Sequence, residues 1–149
     1  MAAKGIHHLG LAVDDLDEAI STYERVFGAE LEERARQEEQ GVEAASLRIG
    51  PLAVSSDGAQ GHASGPAHVE LLSALGPETP VGRFLSRRGP GMHHVAYEVD
   101  DLPGELARLE GEGAELIDRA PRQGLFGMQV AFVHPDAVHG VLSELVARG

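Results

Sequence analysis

Apolar residues alternate with small or polar ones in two stretches of the chain, and this period of two is typical of half-buried β-strands. The stretches are residues 6–13 and 93–99. A pair of aspartates follows each stretch and suits the N-cap of a helix, and a glycine stands where each helical pattern ends. These signals predict helices over residues 15–27 and 102–112.

Each predicted helix is followed by three further segments with the composition of strands. After the first helix they cover about 29–37, 42–49 and 67–73, and after the second about 114–118, 127–133 and 140–146. The predicted order is therefore β-α-β-β-β, twice. The stretch 51–67 is rich in Gly, Ser, Pro and Ala and predicts a loop, and the segment 80–85 between the halves predicts one short helix.

The two halves also repeat each other in sequence. Residues 7–16 and 93–102 are identical at six of ten positions. A half of this size has only a marginal core by itself. We therefore expect a single α+β domain over residues 1–149, in which two β-α-β-β-β modules form a curved sheet around a cleft. The expected modules cover residues 5–74 and 92–147, joined by residues 75–91.

The alternation of side chains along a strand indicates which of them line that cleft. The odd positions of the first strand are mostly bulky and apolar, which suits packing against a helix. The even positions hold His8 and the small Gly10, and the second copy places His94 beside the small Ala96 in the same way. His8 and His94 are therefore the predicted pair in the cleft, and the histidine before each is expected on the helix side.

Two glutamates stand at equivalent places in the last strands of the modules. A carboxylate among apolar strand residues is costly unless it is paired or coordinated. Glu70 and Glu144, together with His8 and His94, form a set of two histidines and two carboxylates. Without thiolates, this set suits Co, Ni, Mn, Zn or Fe(II) and leaves two positions of a six-coordinate ion open. His68 is a competing ligand on the same strand face as Glu70.

Composition narrows the function further. The net charge is −12, with 24 acidic against 12 basic residues, which disfavours nucleic-acid binding. The absence of cysteine excludes a disulfide framework, a thiolate zinc site and a cysteine nucleophile. The sequence has neither a long apolar run nor the pattern of a signal peptide, so we expect a cytoplasmic protein without a membrane partner.

With these residues in place, the chain resembles the vicinal-oxygen-chelate superfamily, and within it the methylmalonyl-CoA epimerases. The first of the motifs that carry this resemblance is common in the superfamily, whereas the second and the last are more specific to the epimerases. The motifs are His-Leu-Gly-Leu-Ala-Val-Asp-Asp-Leu from residue 8, Glu-Glu-Gln-Gly-Val from 38, Gly-Met-His-His-Val-Ala-Tyr-Glu-Val from 91, and Phe-Val-His-Pro from 132 with Gly-Val-Leu-Ser-Glu-Leu from 140.

The resemblance implies an isomerase that interconverts (R)- and (S)-methylmalonyl-CoA by proton transfer at the carbon α to the thioester, through a metal-chelated enolate. It implies metal ligation by His8, His94 and Glu144, with Glu70 as a fourth ligand. It further implies that Glu39 is a catalytic base and Glu144 the opposing acid or base, since inversion needs a proton-handling group on each face. Taken alone, Glu39 lies in a charged stretch that is typical of a solvated surface. The expected partners are an acyl-CoA substrate and a second copy of the chain.

Several alternatives stay open at this point. A glyoxalase-type isomerase uses a similar set of His and Glu ligands, and a non-catalytic ligand-binding module shares the fold without a complete metal set. Two groups of arginines suit the phosphates of a CoA ester, and each is explained equally well as surface charge. The groups are Arg83, Arg87 and Arg88, and Arg119 with Arg122.

Overall fold

The computed structural model describes residues 3–52 and 66–149, so most of the loop expected over 51–67 lies outside the described residues. The described residues form two compact units. Unit 1 comprises those of Met1–Gly10 and Met92–Gly149, and unit 2 those of Leu11–Gly91. The first strand, β1 (Gly5–Ala12), therefore begins in unit 1 and ends in unit 2. The domain and module boundaries drawn from the repeat stay a prediction.

Unit 2 contains an antiparallel sheet of three strands with two helices. The elements are α1 (Leu16–Phe27), β2 (Glu30–Gln37), β3 (Val42–Ile49), β4 (Ala67–Ala74) and α2 (Pro80–Arg88). Strand β2 pairs with β3, with a register shift between Leu31 and Glu33, and β3 pairs with β4. The apolar side chains on one face of this sheet, among them Leu47 and Leu71, pack against Leu16 and Ile20 of α1.

Unit 1 contains one α-helix and, besides the start of β1, four strands. The elements are β5 (Gly91–Glu98), α3 (Leu102–Gly111), β6 (Arg122–Gln123), β7 (Met128–Val133) and β8 (Ser143–Arg148). The strands lie in the order β1-β5-β8-β7-β6, where β5 and β8 are parallel and the pairs β8-β7 and β7-β6 are antiparallel. Leu102 and Leu106 of α3 pack on the sheet against Ala131 and Leu145.

The α+β class and the order β-α-β-β-β in each half are confirmed. The strand expected over 114–118 is wrong, because this segment makes only an isolated bridge between Leu116 and Val133. The carboxylate of Asp118 accepts a hydrogen bond from the backbone N–H of Phe132, and the segment then reaches Pro121, which has no N–H to donate. The ladder therefore resumes only in the two-residue β6.

The segment between the halves forms a longer helix than expected. Helix α2 covers Pro80–Arg88, three residues beyond the predicted end. Thr79 caps it by accepting a hydrogen bond from the backbone N–H of Gly82, and proline at the first helical position fits the local backbone. Among the described residues, no helix has the length and apolar character needed to cross a membrane.

Both helices that follow the repeated aspartate pairs use the second aspartate as N-cap. Asp15 accepts from the N–H of Glu18, and Asp101 accepts from the N–H of Gly104, each at 3.0 Å. These bonds satisfy backbone donors that the first helical turn leaves without a partner. The repeat therefore encodes the start of each helix locally.

We predict that Asp15→Ala lowers the free energy of unfolding by about 1 kcal/mol, because it removes the cap of α1. Asp14→Ala is the matched control, since Asp14 is exposed and its side chain makes no hydrogen bond among the described residues. We expect the control to change stability by less than about 0.5 kcal/mol. Urea unfolding measures both, and equal losses in the two variants would contradict the assigned cap.

Candidate metal centre

The two histidines selected by strand alternation lie together in unit 1. His8 on β1 and His94 on β5 are each 4% exposed, and their Nε2 atoms are 3.0 Å apart. The rings meet edge to face, with centroids 5.2 Å apart. The structure thus brings these repeat-equivalent side chains into direct contact, as the alternation along the two strands predicts.

Glu144 completes a buried group of three on the same unit. It lies on β8, directly opposite Ala96 of β5 and Phe132 of β7. Its Oε1 atom is 3.6 Å from Nε2 of His8, and it is 8% exposed. One ligand atom from each of His8, His94 and Glu144 lies within 4.8 Å of the others.

His7 and His93 each contact the imidazole ring of the histidine that follows in the sequence. Nδ1 of His7 lies 2.8 Å from Nδ1 of His8, and Nδ1 of His93 lies 3.0 Å from Nδ1 of His94. A hydrogen bond at Nδ1 fixes the tautomer and the orientation of an imidazole, as the outer partners of metal-bound histidines do. The strand alternation predicts His7 and His93 on the helix side and does not predict this contact. The repetition of both histidine pairs was the signal that could have revealed it.

Burial keeps the imidazole of His94 neutral. It lowers the pKa of His94 to about 3, with a smaller contribution from the neighbouring His93. Burial also lowers the pKa of His93. A neutral imidazole has a free lone pair, which is the form that binds a metal ion. His94 is therefore ready to act as a ligand at neutral pH.

The spacing of the three side chains fits one divalent ion. Ligand atoms that bind at about 2.1 Å from an ion, at mutual angles of about 90° to 120°, lie about 3.0 to 3.6 Å apart. The Nε2–Nε2 distance of 3.0 Å and the Nε2–Oε1 distance of 3.6 Å fall in this range. Two nitrogens and a carboxylate oxygen suit the borderline divalent metals. The donor set and its geometry thus both fit a metal centre.

A glycine, Gly10, and an aromatic ring, that of Phe132, lie next to the imidazole of His94. A Cβ atom added to Gly10 would overlap the His94 ring, so only glycine leaves room for the imidazole at that place. The Phe132 ring meets the His94 ring edge on, with centroids 5.7 Å apart, and Arg122 covers the Phe132 ring. These contacts hold His94 in one orientation.

The fourth predicted ligand belongs to unit 2. Glu70 lies on β4 opposite Ser46, and its neighbours Val69 and Leu71 pack towards α1, so Glu70 faces away from that helix. It is 7% exposed, and burial raises its pKa to about 7. Its competitor His68 is half-buried, and its Nε2 lies 2.8 Å from Oε1 of Glu32.

The predicted base, Glu39, is exposed and lies in the turn between β2 and β3. The turn closes with a hydrogen bond from the N–H of Gly41 to the carbonyl of Glu38, and Gly41 has φ 66°, which favours glycine. Glu38 pairs with Arg36 at 2.6 Å. Among the described residues, Glu39 has no ion-pair partner, which leaves its carboxylate available to a ligand.

The comparisons with known proteins agree with this arrangement. The family model described as the Glyoxalase/Bleomycin resistance protein/Dioxygenase superfamily matches residues 7–132. The mitochondrial methylmalonyl-CoA epimerase of Dictyostelium discoideum is 32% identical over 94% of this chain and 76% of its own length. The ethylmalonyl-CoA/methylmalonyl-CoA epimerase of Cereibacter sphaeroides is 30% identical over 94% of this chain and 95% of its own length.

Solved structures that resemble the chain also include methylmalonyl-CoA epimerases. A variant of Streptomyces coelicolor methylmalonyl-CoA epimerase in complex with 2-nitronate-propionyl-CoA is 33% identical and superposes with a TM-score of 0.86, covering 99% of both chains. A methylmalonyl-CoA epimerase in complex with methylmalonyl-CoA and NH4+ has the same TM-score and identity. By its family model, its relatives and its fold, the chain belongs to the Glyoxalase/Bleomycin resistance protein/Dioxygenase superfamily and, within it, to the methylmalonyl-CoA epimerase family.

Proposed function

We propose that the chain is a metal-dependent epimerase that interconverts the (R) and (S) forms of methylmalonyl-CoA. The observation that carries this proposal is the buried group of His8, His94 and Glu144, in a chain 32% identical to a methylmalonyl-CoA epimerase over 94% of its length. The group has the ligand types that this chemistry needs. Its distances also suit a single divalent ion.

The reaction moves one proton between the two faces of one carbon. A base removes the proton from the carbon between the thioester and the carboxylate, which leaves a planar enolate. An acid then returns a proton to the opposite face, so the configuration inverts and no atom is lost. Two proton-handling groups are required, because a single base would return the proton mainly to the face from which it came.

We assign the metal to His8, His94 and Glu144, with Glu70 as the fourth ligand. The high pKa of Glu70 supports this role, because burial disfavours the charged form of its carboxylate and a bound cation would offset that cost. Co, Mn, Ni and Zn all suit these ligands. A bound divalent ion would supply electrostatic stabilisation to the negative charge that develops as the α-proton leaves.

We assign one proton transfer to Glu39 and the opposing one to Glu144. The turn that carries Glu39 is held by its neighbours, since the N–H of Leu75 donates to the carbonyl of Gly41 at 2.9 Å. A Cβ atom at Gly41 would overlap the side chain of Thr79, so the turn packs closely on the start of α2. A carboxylate on such a fixed turn is a suitable base. The cytoplasmic location and the homodimer stay predictions of the sequence.

We predict that the metal-loaded protein exchanges the α-proton of methylmalonyl-CoA for solvent deuterium. Treatment with a chelator should abolish the exchange, and added Co or Mn should restore it, because the developing negative charge then has a counter-ion again. Proton NMR in deuterium oxide follows the exchange. The protein's metal content is measured in the same samples.

The other candidate functions give different results in this assay. No exchange by fully metal-loaded protein would refute the epimerase. Activity on a glutathione hemithioacetal instead would favour the glyoxalase-type isomerase. A protein that holds no divalent metal and has no affinity for one on titration would favour the non-catalytic binding module.

We predict that Glu39→Gln lowers kcat by at least about a hundredfold while the bound metal is retained, because the amide cannot accept the α-proton. Glu38→Gln is the matched control from the same turn, since Glu38 already pairs with Arg36. The control should keep kcat within about twofold. Equal kcat in both variants would remove Glu39 from the mechanism.

We predict that Glu70→Ala weakens metal affinity by about tenfold or more, whereas His68→Ala does not, because His68 is engaged with Glu32. Metal titration and elemental analysis of the two variants measure this difference. The reverse result, with affinity lost only in His68→Ala, would assign His68 as the ligand in place of Glu70.

A further inference from the structure

Among the described residues, some basic side chains of this acidic protein form ion pairs with carboxylates and others do not. Of the 12 lysines and arginines, eight have a carboxylate within 4.0 Å. The other four have none among residues 3–52 and 66–149. Three of these four lie on α2, a helix of nine residues, and all three are exposed; the four are Arg25, Arg83, Arg87 and Arg88.

The three arginines of α2 lie on two neighbouring rows of the helix surface. Arg83 and Arg87 are four residues apart and therefore follow each other along one face. Arg88 lies over the ring of Phe84, 5.8 Å from its centroid, on the adjacent row. The first turn of α2 contains no acidic residue. Like charges at this spacing repel each other, so the helix gains stability when an anion binds there.

The second arginine group considered from the sequence is neutralised by its neighbours. Arg119 lies 3.4 Å from a carboxylate oxygen of Glu110, and Arg122 lies 3.2 Å from one of Asp118. Arg122 also covers the Phe132 ring. The ion pairs therefore distinguish two groups that the sequence left equivalent. Of these two groups, the one on α2 has no carboxylate partner among the described residues.

We infer that Arg83, Arg87 and Arg88 on α2 bind the phosphate groups of the acyl-CoA substrate. This inference rests on the proposed function, which supplies a ligand that carries several phosphate charges. Guanidinium groups suit phosphate because their paired N–H groups bind two oxygens at once. In a protein of net charge −12, such an unpaired basic helix is a local exception that matches an anionic ligand.

The position of α2 links this surface to the proposed base. The same helix begins at Thr79, against which Gly41 of the Glu39 turn packs. The turn is also bonded to Leu75, just before the helix. Phosphates that bind on α2 would thus anchor the substrate on the element that supports this turn. The anchor should mainly affect binding, because the reacting carbon lies far along the substrate from its phosphates.

The test compares two substrates that differ only in the nucleotide part. Methylmalonyl-CoA carries the phosphates, and methylmalonyl-pantetheine has the same thioester without them. In the triple variant Arg83→Gln, Arg87→Gln, Arg88→Gln, we expect the ratio of kcat/KM for the CoA ester to that for the pantetheine ester to fall about ten- to a hundredfold, chiefly through KM. The matched control is Arg25→Gln, the unpaired arginine on α1, which should leave the ratio unchanged.

An unchanged ratio in the triple variant would overturn the inference, and so would an equal fall in the control. Calorimetric titration with adenosine 3′,5′-bisphosphate gives a readout that needs no turnover. We expect wild-type affinity to fall with rising salt and to be lost in the triple variant. If neither ester is epimerised, the proposed function fails, and this titration still decides whether α2 binds the phosphates. Equal binding of the bisphosphate by wild type and triple variant would refute the site.

Discussion

The contact between two buried imidazoles is the interaction on which the site depends. His8 and His94 present Nε2 atoms to each other at 3.0 Å, and Glu144 approaches the same point. Burying three polar side chains is costly unless a partner compensates them, and a divalent cation is the partner that all three can share. The histidines before them hold the rings from behind through Nδ1. A divalent ion bound at this point would therefore offset the cost of burying the group.

Duplication of one supersecondary unit makes this contact possible. Each copy starts with a strand whose one face carries bulky residues against a helix, while the other face carries a histidine next to a small residue. Gly10 has to be small, because any side chain there would meet the His94 ring. Ala96 fills the equivalent position in the second copy, directly opposite Glu144. The same alternation that builds the core thus leaves room for the ligands.

The parts of the structure that depend on neighbouring residues in sequence could be predicted. Strand alternation selected His8 and His94, and the aspartate pairs marked the helix starts, since both effects act over a few residues. The failures have a different origin. The strand over 114–118 fails because Asp118 replaces the ladder with a side-chain bond, and Pro121 cannot donate. The contact of His7 with His8 depends on side-chain rotamers, which no periodicity reports.

The net charge of the protein and the positions of its individual charges have different consequences for binding. The net charge of −12 disfavours a polyanion that must lie along an extended surface, because such a ligand meets the average of the surface charge. A small ligand meets only the charges within a Debye length of about 8 Å at physiological ionic strength. Most arginines of this chain form ion pairs with carboxylates. Each of these arginines therefore contributes little positive potential beyond its own pair. The arginines on α2 have no carboxylate partner among the described residues. An acidic protein can therefore bind a phosphorylated substrate without an excess of basic residues.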